Sequence, residues 1–82
     1  MSESTLRKAI CSEVARLLKE ERMRRGLSLN ALSARAGLSR QTVAFIEQEE
    51  RNPTLETLLR MTAVLEVKLE DLIKNARVAA NK

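Results

Sequence analysis

The chain has 82 residues, no histidine, one cysteine and one aromatic residue, Phe45, with 32% charged and 44% hydrophobic residues. That length builds a single domain with a small core and leaves little room for a catalytic pocket. Without histidine or a second cysteine, neither a Cys/His metal centre nor a disulfide framework can be drawn. The formal charge of +4 and a pI near 9.8 fit a polyanionic partner but equally fit many basic proteins.

Placement of charge narrows this only partly. Residues 1–28 hold seven basic side chains against four acidic ones, whereas residues 35–51 balance Arg35, Arg40 and Arg51 against Glu47, Glu49 and Glu50. No run of about 18 apolar residues or signal-like apolar core is present, so a cytoplasmic, intracellular chain with no membrane segment is expected. Neither a cofactor nor a metal is expected. Leu, Ala, Glu, Arg and Lys dominate and favour helices throughout.

The first apolar stripe, Leu6, Ile10, Val14 and Leu17/Leu18, predicts a long helix over roughly residues 4–25, stopped by Gly26. Cys11 falls within it as a small helix residue. Ser28 then caps a second helix, with Leu27 and Leu32 spaced as a hydrophobic staple, and Gly37 ends it. Leu38, Ser39 and Val43 repeat that pattern for a third helix running to about Gln48. Two short helices joined through one glycine form a helix-turn-helix over about 28–48. Ser33, small and midway along the second helix, marks where the third crosses closely.

Asn52-Pro53 forces an extended step and Thr54 caps a fourth helix whose inward face is expected to be Leu55, Leu58, Leu59, Thr62 and Leu65. A fifth helix carries Leu69, Leu72 and Ile73 from about residue 69 to 76 or beyond, and the tail, about 77–82, either extends it or frays. The whole is an all-α, five-helix single domain over 1–82 with no linker or repeat.

At about 100° per residue, with Val43 at zero, Ile46 lies beside it while Arg40, Gln41, Ala44, Phe45 and Gln48 fall on the far side. A major groove admits one helix, and its base edges suit such a set: Arg40 for guanine O6/N7, Gln41 for adenine N6/N7, Phe45 for a thymine methyl. The Ser39 hydroxyl, at a helix N-terminus, suits a phosphate. Two plain alternatives stay open: the polar residues simply keep a surface wet, and Phe45 folds into the core or a subunit interface.

Residues 27–73 resemble the lambda-repressor-like helix-turn-helix family, also called the Xre family. The most specific points are Leu32, Ser33, Gly37, Leu38, Val43, Ile46 and Glu47 at the family's spacing, followed by RNPTLETLL at 51–59. The resemblance implies a five-helix domain whose third helix enters the major groove of double-stranded DNA, commonly as a homodimer on a two-fold operator. It places Arg40, Gln41 and Phe45 at base-reading positions and Ser28, Ser39, Gln48 and Arg51 among the phosphate contacts. It also pairs Arg22 with Glu47 in a salt bridge between the first and third helices.

The chain departs from the family pattern at several points. Leu29 stands where Gln is frequent, with Asn30 beside it as the candidate to take over a backbone contact. Glu49 and Glu66 stand where glycines usually follow the third and fourth helices, and Lys68 where a capping Ser or Asp is common. Glu49 and Glu50 would weaken non-specific DNA binding unless Arg51 and the basic first helix outweigh them.

The leading expectation is a sequence-specific transcriptional regulator, a repressor in its simplest form, working as a small homodimer without a separate effector domain. Leu69, Leu72 and Ile73 of the fifth helix are its expected dimer contact. The alternative is a protein-interaction adaptor or antitoxin-like module on the same fold. An enzyme is not expected, because Glu20-Glu21, Glu49-Glu50 and Glu70-Asp71 are sequence neighbours that point to different azimuths of a helix, and no nucleophile has a histidine base.

Overall fold

Four of the five helices begin on a hydroxyl side chain that accepts a backbone N–H three residues on: Ser2 from Thr5, Ser28 from Ala31, Ser39 from Thr42 and Thr54 from Thr57, at 3.0–3.1 Å. Each such cap is worth about 1 kcal/mol. The structure, a computed structural model, describes residues 2–82. Its helices are α1 (Glu3–Arg24), α2 (Leu29–Ala36), α3 (Arg40–Glu47), α4 (Leu55–Leu65) and α5 (Leu69–Ala80), with no strand among the described residues. The fifth helix opens on Lys68 with no side-chain cap bond, and Glu70 and Asp71 in its first turn offset the positive end of the helix instead. It runs through most of the tail.

The ends follow from backbone sterics. Gly26 (φ 66) and Gly37 (φ 70) take the left-handed conformation that glycine adopts without penalty. Glu49 (φ 61) and Glu66 (φ 56) take it too, where a Cβ costs about 1 kcal/mol or more. Both positions therefore make a left-handed turn with a side chain in place.

The core is one cluster built from every helix: Val14 and Leu18 of α1, Leu32 of α2, Val43 and Ile46 of α3, Met61 and Leu65 of α4, Leu72 and Ala76 of α5. The N-terminal caps and left-handed ends steer these short helices around α1, which packs chiefly against α5, while α2 packs against α3 and α4. Thr62, also buried, donates its hydroxyl to the Leu58 carbonyl at 2.8 Å and so loses no hydrogen bond to the core.

The inward face of α4 differs from expectation. Leu55 and Leu59 are exposed, at 66% and 51%, and Met61 is fully buried in their place. Met61 and Thr62 flank Leu58 and Leu65 on the helix wheel, which puts Leu59 about 100° from their centre and out of reach of the core. The Leu-rich run leaves the direction of the stripe ambiguous, and packing against α1 and α2 selects Met61. Cys11 is exposed on α1. Among the described residues, no helix is long and apolar enough to cross a membrane, and no group of three or more His, Cys, Asp or Glu could hold a metal.

Candidate nucleic-acid interface

The turn between α2 and α3 is defined from both sides. Gly37 N–H donates to Ala34 O and Leu38 N–H to Ser33 O (2.8 Å), closing α2 in the manner that a left-handed residue permits. A Cβ on Gly37 would also lie 2.9 Å from Nη1 of Arg60, whose guanidinium donates to the Ala36 carbonyl at 3.3 Å. An i,i+4 partner, Glu56, holds Arg60 at 3.0 Å. Arg60 thus secures the turn from α4. Its only sequence signal was the Glu56–Arg60 spacing, which is ordinary on exposed helices.

Ser39 starts α3, bonding the Thr42 N–H at 3.0 Å and the Thr42 hydroxyl at 2.7 Å. Val43 and Ile46 are buried, at 0% and 2% exposure, so the roll of α3 about its axis is set by the core. Arg40, Gln41 and Gln48 are exposed on its outer side, with Ala44 and Phe45 half-buried. Ser28 caps α2 and is exposed, as is Asn30 one step into it. Buried Ser33 donates its hydroxyl to the Asn30 carbonyl at 3.1 Å. Leu29 packs against the core, so the first residue of α2 serves packing.

An ion pair ties α3 to α1. Arg22 donates from Nε to Glu47 Oε2 at 2.7 Å and from Nη2 to Oε1 at 3.0 Å, while Nη1 reaches the Leu27 carbonyl at 2.8 Å. The side chains are only 13% and 5% exposed. One guanidinium therefore braces α1, the α1–α2 turn and the end of α3 in a single bidentate fork.

Beyond α3 the chain turns at Glu49, whose carboxylate accepts from the Ser12 hydroxyl on α1. Exposed Arg51 follows, with its guanidinium carbon 5.1 Å from the centroid of the Phe45 ring. Ser12, Glu49 and Arg51 edge a groove of about 680 Å³ between the N-terminal half of α1 and the α3–α4 connection, floored by Ile10, Val14, Ile46 and Leu58. The link from Ser12 to Glu49 and the contact of Arg51 with Phe45 carry no short-range sequence pattern.

On α5, Leu72 is 6% exposed and belongs to the monomer's core, while Leu69 and Ile73 are half-buried against it, Ile73 also lining the groove beside Arg51. Leu72 is therefore spent within the subunit and is withdrawn from the expected dimer contact. The apolar surface left open lies at Met23 near the end of α1, on α4 at Leu55 and Leu59, and near the end of α5 at Val78.

A family model described as helix-turn-helix matches residues 18–72, more than half of the chain. An uncharacterised HTH-type transcriptional regulator of Sinorhizobium fredii, y4dJ, is 35% identical over 68 residues, covering 83% of each chain. An uncharacterised HTH-type transcriptional regulator of Archaeoglobus fulgidus is 31% identical over 55 residues, 67% of this chain and 78% of its own. A second from the same organism is 29% identical over 55 residues, covering 67% and 79%. No solved structure shows a significant match.

Proposed function

The chain belongs to the helix-turn-helix family, in its lambda-repressor or Xre-like form, and from that premise we propose that it is a sequence-specific repressor acting by occupancy of double-stranded DNA. One observation carries the reading. The helix α3 has its inner face locked by Val43 and Ile46, its end braced by Arg22 and Glu47, and its outer face left to Arg40, Gln41 and Gln48. A helix held that firmly with side chains capable of paired hydrogen bonds suits the major groove.

In this proposal Arg40 pairs with guanine and Gln41 with adenine. Ser28, Asn30, Ser39, Gln48 and Arg51 meet the phosphates on either side, where the N-termini of α2 and α3 add their positive ends. Two copies pair on a two-fold site, with their third helices about 34 Å apart. Leu55 and Leu59, with the open edges of Leu69 and Ile73, offer the apolar surface for that pairing. The protein acts in the cytoplasm, where such DNA lies, and uses no catalytic step.

The test is selection from a random duplex pool at physiological salt, followed by sequencing of the retained DNA. A two-fold enriched motif is the expected result. Folded protein that enriches nothing would overturn the reading. The exposed Leu55 and Leu59 favour one second reading, in which the surface docks another protein and the module is an adaptor or antitoxin-like partner. Sedimentation of a monomer at high micromolar concentration, with and without DNA, would remove the homodimer.

A further inference from the structure

Phe45 lies on the outward arc of α3, where an aromatic ring would be expected to touch a thymine methyl. Its surroundings point elsewhere. The ring is half-buried, and the guanidinium of Arg51 sits over it at 5.1 Å. A ring face beneath a cation is no longer free apolar surface.

Arg51, like Arg7, Arg35, Arg40 and Arg77, pairs with no acid among the described residues. It does so although it directly follows Glu49 and Glu50. The left-handed backbone at Glu49 accompanies a carboxylate bonded to Ser12 of α1. One of the two acids beside Arg51 is therefore engaged elsewhere, and the other, Glu50, forms no ion pair with it.

A cation over a ring is held by the ring's negative face and uses none of its five N–H donors. Arg51 is thereby ordered before any partner arrives, with its full donor set available for a planar, bidentate acceptor such as a phosphate. A freely rotating arginine would have to surrender that mobility on binding.

We propose that Phe45 acts on DNA through Arg51, as a positioning residue that holds a phosphate-binding guanidinium in place, and not as a reader of base sequence. The inference rests on the DNA-binding reading above. It makes Phe45 and Arg51 one unit: whatever the ring contributes to binding is lost once the guanidinium is gone.

The experiment compares the full chain with Phe45→Leu, Phe45→Tyr, Arg51→Ala and the double variant Phe45→Leu/Arg51→Ala. Affinity is measured on the duplex retained from the random pool, on its single-base variants and on an unrelated duplex of equal length. Phe45→Leu is expected to lose about two- to fivefold on every duplex alike. Phe45→Tyr, which keeps the ring, is expected to bind as the unsubstituted chain does. Arg51→Ala is expected to lower the salt slope by about 0.9, and the double variant to bind no worse than Arg51→Ala. A Phe45→Leu defect confined to one base pair, or losses that multiply in the double variant, would overturn the proposal.

A readout without DNA separates the two layers. The Arg51 side-chain protons should show an upfield ring-current shift by NMR that disappears in Phe45→Leu and persists in Phe45→Tyr. No such shift would also overturn the proposal, even if Phe45→Leu proved too unstable to assay on DNA. Retention of no duplex by a chain that shows the shift would instead overturn the DNA reading and leave the contact as bare geometry.

Discussion

The turn entering α3 and the turn leaving it use the same left-handed step with different residues, Gly37 at φ 70 before and Glu49 at φ 61 after. At the entry, glycine is required by its backbone, and a Cβ would only push aside the half-exposed Arg60 guanidinium. At the exit, a glutamate accepts the strain, and its carboxylate reaches Ser12 on α1. The entry fixes the angle between α2 and α3, on which the presentation of Arg40 and Gln41 depends, and it carries no strain. The exit trades local strain for a tether, which lets a side chain do work there that glycine cannot.

The largest expected break of this contrast lies in the brace behind both turns. Glu47→Ala leaves the Arg22 guanidinium buried without its partner and should cost about 3–5 kcal/mol, read as a shifted urea midpoint. The double variant Arg22→Met/Glu47→Leu should recover much of that loss, since two apolar side chains restore packing without a stranded charge. A single and a double variant of equal stability would refute the account.

On the face that the entry turn presents, Gln41→Ala should remove about 1–3 kcal/mol of discrimination at one base pair while leaving the thermal midpoint in place. Unchanged discrimination at every position would end the base-reading role. At the entry itself, Gly37→Ala should cost about 1–2 kcal/mol from the left-handed backbone, while the half-exposed Arg60 guanidinium swings aside at little further cost. Removing the guanidinium as well, in Gly37→Ala/Arg60→Ala, isolates the backbone part by denaturant titration.

The sharpest form of the comparison uses the exit turn and its counterpart at Glu66, which is left-handed as well but only loosely approached by Arg25 at 3.6 Å. Glu66→Gly should stabilise the chain by about 1 kcal/mol. Glu49→Gly should gain less, because it also severs the bond to Ser12. Equal gains at both positions would mean that the tether contributes nothing.

The smallest effect lies outside both turns. The Glu21 carboxyl is held below its usual range, chiefly by hydrogen bonding from Arg24, with burial opposing and the charges of Arg24 and Arg25 adding to it. A depressed carboxyl stabilises the fold above its unfolded value and loses that contribution as pH falls through the folded one. Glu21→Gln should therefore flatten the acid limb of the stability profile slightly and leave neutral pH nearly unaffected. An unchanged acid limb would show that the contact is too solvated to matter.

Much of the fold could be read from residues whose effect is local. Ser28, Ser39 and Thr54 announce helix starts because their hydroxyls bond their own turn, and Gly26 and Gly37 announce ends because their backbone is free. The same local rules predict which side of α3 faces in, since Val43 and Ile46 are its only large aliphatic pair. They fail on α4, where four leucines surround much of the helix and only the neighbouring helices decide that Met61 is buried and Leu59 is not. They also miss contacts that no helical or strand period brings together: Ser12 on Glu49 and Arg60 on Gly37, far apart in sequence, and Arg51 over Phe45, across the turn that ends α3. The outward residues of α3 were legible as candidates, whereas the contact of Phe45 with Arg51 beyond the helix was not.

The two helices of the helix-turn-helix have only eight residues each. That is below the roughly 12–15 at which an isolated helix begins to persist in water. Their shape is therefore borrowed from α1 and α4, and a peptide cut out at 28–48 should be a coil. A cell or a protein engineer could rewrite the outer face of α3 residue by residue, yet could not move the motif to another scaffold without bringing the struts along.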